Sequence, residues 1–229
     1  MVVVGGIALL FLAELWPPVA VMVTVGIGAT TFWSLTSLLA SYYVYDLSPL
    51  YSWRWLAGEL NSSPGKWASF HAGLDESSEA IRRLFPESQG GAFDIFDADK
   101  MSEGSIRRAR STVSQAGERA TADSGALPFE EGALDAVFLI FAAHELRDPD
   151  DRIRFFTEIR RVLHPQGDLI LVEHLRDLWN FIAYGPGFLH FFSRSEWMKT
   201  ARQAGLTFRS ERPMTPFVRC FVFTREASK

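Results

Sequence analysis

Between Leu15 and Tyr45 the chain carries no charged side chain, and this run constrains the fold more than any other feature. As a helix rising about 1.5 Å per residue, Val19 to Tyr45 is long enough to cross a hydrocarbon layer of roughly 30 Å. The contrast with the rest of the chain is sharp. Up to Ser63 the only charged residues are Glu14, Asp46, Arg54 and Glu59, so nearly all of the 23 Lys+Arg and 27 Asp+Glu lie beyond it. Residues 1–45 are therefore expected to be a membrane anchor with its main span at 19–45. The apolar stretch Val2 to Ala13 is short for a full crossing, and Trp16-Pro17-Pro18 interrupts any helix continuing from it, so one or two spans, the second closing a helical hairpin, are both open. A secretory signal is the rival reading, but no basic residue precedes the apolar run and a longer one follows it.

Aromatic residues crowd the exit from the span: Tyr42, Tyr43, Tyr45, Tyr51, Trp53 and Trp55. Such amphipathic rings favour the headgroup level. Asp46-Leu47-Ser48-Pro49 reads as a helix stop and restart, with Ser48 as N-cap and Pro49 at the first helical position. Residues 49–60 then form a short helix along the interface, with their Trp and Tyr side chains in the headgroups, and 46–63 form an interfacial helix and linker ending in Ser62-Ser63-Pro64-Gly65. Arg54, Lys66, Arg82 and Arg83 all follow the span, which places the large domain in the cytoplasm. The localisation expected is membrane, with the soluble domain facing the cytoplasm.

Residues 64–229 alternate strand-like and helical patterns, the signature of an α/β fold with a mostly parallel sheet covered by helices on both faces. Strands are expected at Trp67–Ala72, Ala92–Phe96, Ala133–Phe141, Asp168–Val172, Leu206–Ser210 and Val218–Thr224. Helices are expected at about 76–85, 102–110, 149–163 and 194–204. A net charge of −4 offers no concentrated basic face for nucleic acid, and the single cysteine, Cys220, forms neither an intramolecular disulfide nor a zinc site by itself.

Open α/β sheets bind ligands beyond the carboxyl ends of their strands. Those ends carry His71-Ala72-Gly73-Leu74-Asp75-Glu76, then Asp97, then Ala122-Asp123-Ser124, then Ala142-Ala143-His144-Glu145. A carboxylate such as Asp97 can accept from both vicinal hydroxyls of a ribose. Asp123 can accept from an adenine amino group, with Leu127, Phe138 and Phe141 sandwiching the ring. Each Asp also fits a helix cap or a solvated loop.

Thr121-Ala122-Asp123-Ser124-Gly125-Ala126-Leu127-Pro128-Phe129 and its continuation to Val137, with Phe141 to Leu146 and Phe156 to Val172, resemble the class I S-adenosylmethionine-dependent methyltransferases of the small-molecule type. Ser193-Arg194-Ser195-Glu196-Trp197 and Gln203-Ala204-Gly205-Leu206 extend the resemblance over about 64–226. It implies a Rossmann-like seven-stranded sheet whose last strand is antiparallel, and S-adenosyl-L-methionine as cofactor. It places Asp97 on the ribose, Asp123 on the adenine amino group and the backbone around Ala142 at the cofactor's far edge. One departure is plain: of the family's Gly-x-Gly-x-Gly turn only Gly73 remains, where a missing Cβ lets backbone approach the cofactor. His71, Ala72 and Gly73 form that altered turn, and Asp75 or Glu76 can meet the cofactor's ammonium group.

Methyl transfer from a sulfonium chiefly requires alignment and exclusion of water. His144 is the candidate general base, with a structural histidine as the alternative. Glu173-His174 and Arg176-Asp177 make a second polar cluster, for which paired charges are expected rather than a metal: no spacing among His144, Glu145, Glu173 and His174 demands an ion. The aromatic segment Phe181 to Phe192 either forms core, lines an apolar pocket or rests on the bilayer. The expected function is a membrane-anchored methyltransferase acting on a lipophilic small molecule or lipid. The alternatives are a non-catalytic scaffold or binding subunit in a membrane protein complex, and a nicotinamide-dependent oxidoreductase, against which the absent Gly-x-Gly-x-x-Gly counts.

Overall fold

The computed structural model describes residues 16–73, 75–101, 110 and 120–225. The expected short apolar run Val2 to Ala13, and nearly all of the helix expected at 102–110, lie outside them. The first element, helix α1 (Pro17–Tyr42), begins with prolines at its first two positions, where no amide donor is needed. It is long and apolar enough to cross a bilayer. Most of its side chains are exposed, Val21, Met22, Leu35, Leu38 and Leu39 among them, so the protein itself does not cover it.

α1 runs into a π-helical turn, Tyr43–Leu47, that ends at Ser48. The restart at Ser48-Pro49 is as expected: the Ser48 hydroxyl accepts from the Leu50 amide at 3.2 Å. The single interfacial helix over 49–60 is not found. A 3-10 turn (Pro49–Ser52) and a short helix α2 (Leu56–Glu59) are separated by Trp53, whose φ is 58°. Trp53 and Trp55 are buried rather than set in headgroups, because both pack with Leu50 and Leu56 onto the sheet. Composition cannot separate these outcomes, since an aromatic-rich amphipathic segment suits either apolar surface.

Beyond it come β1 (Lys66–His71), α3 (Ser78–Leu84), β2 (Gln89–Asp94), β3 (Leu134–Ile140), α4 (Pro149–Val162), β4 (Leu163–His174), α5 (Leu178–Tyr184), α6 (Arg194–Gln203), β5 (Leu206–Pro213) and β6 (Val218–Arg225). The sheet order is β2-β1-β3-β4-β6-β5; the first four strands are parallel, and β6 is antiparallel to both its neighbours. Among the described residues there are six strands, against the seven expected. The place of the seventh is marked by Thr121, which makes a single parallel bridge to Asp94 at the free edge of β2.

Side chains on β3, β4 and β6 alternate between two cores, as a pleated strand requires. Val137, Leu139, Leu169, Leu171, Phe221 and Phe223 face α4 and α6 and meet Phe155, Phe156, Ile159 and Trp197. Ala136, Phe138, Ile170, Val172, Cys220 and Val222 face the other way, against Trp53, Trp55, Trp67 and Val44. Caps fix the helix starts that orient this packing. Asp148 accepts from the Asp150 and Asp151 amides, and Ser193 from that of Glu196.

The chain before β1 is stapled down. Asp135 accepts from the amides of Gly65 and Lys66 at 2.9 and 2.8 Å, and buried Asp168 joins the Asn61 amide, at 2.8 Å, to Arg209 on β5, at 2.7 Å.

Candidate active site

At the carboxyl ends of β1 and β3 lies a cavity lined by Tyr45, Ser69, His71, Ala72, Gly73, Asp75, Glu76, Ser77, Phe141, Ala142 and Glu145, among others. Of the residues expected to bind a cofactor it gathers His71, Ala72, Gly73, Asp75 and Ala142. Asp97, Asp123 and Ser124 do not line it. Asp97 is half-buried and caps the next turn, accepting from the Asp99 amide at 2.9 Å; that bond, with Lys100 nearby, holds its carboxyl below the usual carboxylate range. Asp123 accepts from the Gly125 amide at 2.8 Å, and Ser124 is buried.

β2 ends at Asp94, two residues earlier than its apolar run suggests, so the acid level with His71 in the sheet is Asp94. Asp94 is buried and bound to Arg110 at 2.7 Å, and the same guanidinium reaches the Ala72 carbonyl at 3.2 Å. This pair clamps the ends of β1 and β2 together. The expected sandwich of Leu127, Phe138 and Phe141 is not formed. Leu127 and Phe138 are fully packed in cores on opposite faces of the sheet, and only Phe141 reaches the cavity.

Asp75 is committed locally as well as facing the cavity. Its carboxylate accepts from the amides of Ser77 and Ser78 and from the Ser78 hydroxyl, capping α3. Glu76 receives the Tyr51 hydroxyl, and burial with that hydrogen bond pushes the Tyr51 phenol well above its ordinary value. Glu145 Oε2 is buried without a hydrogen-bond partner among the described residues.

A second, smaller cavity lies behind the first, lined by Ser41, Tyr45, Phe141, His144, His174, Tyr184 and Phe191. Tyr45 and Phe141 line both, their ring centroids 6.2 Å apart. Phe141 holds φ at 51°, a conformation costly for a bulky residue, with its amide bonded to the Val172 carbonyl at 2.9 Å. Its ring stacks on His174, which stacks in turn on Phe191. His174 Nδ1 lies 3.2 Å from Asn180 Oδ1 and 3.0 Å from the Phe217 carbonyl. Burial lowers its pKa to about 4, so this imidazole is neutral at physiological pH.

His144 is the opposite case. Nδ1 stands 2.8 Å from Glu173 Oε2, and Nε2 is 3.4 Å from Glu145 Oε1. Burial by itself would lower its pKa, but the two carboxylates override this and raise it to about 10. The same contact holds Glu145 below the usual range although burial pushes it upward. At neutral pH His144 is thus an imidazolium, set between Glu173 and Glu145. The ligand atoms of His144, Glu145 and His190 fall within 4.8 Å of one another, whereas His174 is turned away toward Asn180.

Sequence reasoning missed Tyr45, assigned to the headgroups, and the wall formed by Phe141. The signal for Tyr45 was its position at the very end of the span, where a turn in the chain can aim it back over the strand ends.

Residues 90–171 match the family model described as a methyltransferase domain. No curated protein matches the chain. Among solved structures, an S-adenosylmethionine-dependent methyltransferase from Aquifex aeolicus is similar at 14% identity and TM-score 0.53, over 70% of this chain and 81% of that one. A protein from Pyrococcus horikoshii is similar at 19% identity and TM-score 0.57, over 81% and 96%. A geranyl diphosphate C-methyltransferase from Streptomyces coelicolor, solved with Mg2+, geranyl diphosphate and S-adenosyl-L-homocysteine, is similar at 13% identity and TM-score 0.54, over 76% and 78%. At these identities the likeness is one of fold, and the fold is the Rossmann-like one of class I methyltransferases.

Proposed function

We propose that this chain, whose soluble part has the class I methyltransferase fold, is a membrane-anchored S-adenosylmethionine-dependent methyltransferase acting on a lipophilic small molecule or lipid. The family match and the fold support S-adenosyl-L-methionine as the cofactor. Residues 1–45 serve as the anchor and 64–229 as the methyltransferase-like domain, facing the cytoplasm. The observation that carries the reading is the pair of cavities divided by Tyr45 and Phe141 at the strand ends.

The larger cavity fits a cationic cofactor. Asp75, Glu76 and Glu145 line it, the last with an unpartnered buried oxygen, and Ala72-Gly73 keeps its floor small. The cofactor supplies an electrophilic methyl group on a sulfonium. The chain's task is then to align an acceptor in the smaller, aromatic cavity and keep water out. Tyr45 and Phe141 line both cavities, where they would align an acceptor with the cofactor. His144, expected as a general base, is already protonated at neutral pH, so it orients and polarises the acceptor.

The test is calorimetric titration of the detergent-solubilised full-length protein with S-adenosylmethionine, with NADH as control, followed by transfer of radiolabelled methyl groups to membrane lipid extracts. Binding of S-adenosylmethionine alone, with label entering the lipid fraction, supports the reading. No binding of either ligand overturns it in favour of a membrane-attached scaffold, and binding of NADH alone in favour of an oxidoreductase.

A further inference from the structure

Helix α5, tied to the end of β4 through Asn180 and His174, and the 3-10 turn after it, Gly185–His190, also join α1. The Thr36 hydroxyl donates to the Ala183 carbonyl at 2.9 Å, and the rings of Trp33 and Phe181 meet at 5.8 Å. Gly185, with φ of 55°, lies so close to Trp33 that an added Cβ would come within 2.5 Å of its ring. The outward side of this segment is apolar: Leu178, Trp179, Ile182 and Leu189 are exposed. From Leu178 to Phe192 there is no Asp, Glu, Lys or Arg.

The depth of the joint follows from helix length. α1 is about 39 Å long, roughly 9 Å more than the hydrocarbon layer. Even if all the excess projects on the domain side, Thr36, six residues from Tyr42, lies at the hydrocarbon edge and Trp33 inside it. Phe181, Ala183 and Gly185 are held at that same level. Water is the wrong solvent for the exposed side chains there, and lipid is the right one.

Charge at the other end of α5 agrees. A groove at its amino end is lined by Arg176, Arg194, Lys199 and Arg202, all exposed, with Asp177 and Glu196 as its acidic members. Arg194 shares Glu211 at 2.6 Å, and Asp177 is occupied in capping α5. A basic groove beside an apolar, uncharged helix is the combination that anionic lipid headgroups recognise.

We propose that α5 and the turn Gly185–His190 are embedded in the membrane beside α1, with the groove of Arg176, Arg194, Lys199 and Arg202 seated on anionic headgroups, so that the cavity at His144 opens at the bilayer. The occupant of this surface is phospholipid. The inference rests on the membrane anchor of the proposed function, but not on methyl transfer.

The test uses the full-length protein in nanodiscs containing phosphatidylglycerol, with an environment-sensitive fluorophore on Leu189→Cys, Leu38→Cys or Glu87→Cys. Cys220 is fully buried and does not compete for label. Leu189 is exposed, so its variant folds. The expected result is blue-shifted emission, quenched by phospholipids spin-labelled high on the acyl chain, at Leu38 and Leu189 but not at Glu87. Charge reversal by Lys199→Glu with Arg202→Glu should weaken quenching at Leu189 by about twofold while leaving Leu38 unchanged. Quenching at Leu38 with none at Leu189 overturns the inference and leaves the anchor standing. Quenching at neither removes the anchor as well. A Leu189 label that is blue-shifted but not quenched by lipid is covered by protein, a second copy or a partner, and this too overturns the inference.

Discussion

His144 and Glu173, at the carboxyl ends of neighbouring strands, stand 2.8 Å apart, and the carboxylate is almost wholly buried. The imidazolium is the partner that makes that burial tolerable. A histidine whose pKa is raised on folding contributes stability in full below its ordinary value of 6.5, and that contribution is lost as pH rises through about 10. Thermal unfolding in detergent should therefore show stability declining from about neutral pH to pH 10. In Glu173→Gln the decline over this window should flatten. An unchanged pH profile in the variant would remove Glu173 as the cause.

Asp94 and Asp97 are separated by the same logic of burial. Asp94→Asn breaks the buried pair with Arg110 and should cost about 3 kcal/mol in urea unfolding. Asp97 is half-buried and held by local bonds to the Asp99 amide and Lys100, so Asp97→Ala should cost less, about 1 kcal/mol. Titration of both variants with S-adenosylmethionine then tells which acid serves a ribose. Undiminished affinity in Asp97→Ala rules that residue out.

Gly185→Ala should destabilise the chain by about 1–3 kcal/mol, since it places a Cβ against Trp33 in a left-handed conformation. Gly187→Ala, whose nearest neighbour would be 3.9 Å away, is the matched control and should be near neutral. The comparison is read from melting temperatures in the same detergent.

Tyr45→Ala opens the wall between the two cavities and should lower methyl transfer by about tenfold or more through lost alignment. Tyr45→Phe keeps the ring and should retain most of the activity. Radiolabelled methyl incorporation measures both. Equal activity in all three proteins would show that Tyr45 divides nothing of consequence.

Much of the fold was legible in the sequence. Strands β1, β3 and β6 follow from apolar runs, and the Ser48-Pro49 restart follows from cap chemistry that acts within two residues. Position among neighbouring strands was not legible. Whether β2 ends at Asp94 or Phe96 depends on pairing with β1 and on Arg110, which comes from 16 residues further along the chain. Phe138 and Phe141 differ by three positions, yet one is core and the other lines both cavities, because β3 ends at Ile140 and the left-handed turn at Phe141 redirects its ring. The opposite protonation of His144 and His174 was equally hidden, since a histidine's charge is set by what the fold brings beside it.

The short passage from α1 into the domain has a further consequence. Val44 of the π-helical turn is fully buried in the sheet's second core, and Tyr45 beside it lines both cavities. The connection is thus a rigid bracket instead of a leash. With α1 in a bilayer, as proposed, it would fix the angle at which the domain faces the lipid. Cutting the chain before β1 to obtain a water-soluble fragment would also remove part of the chamber in which the reaction is proposed to occur.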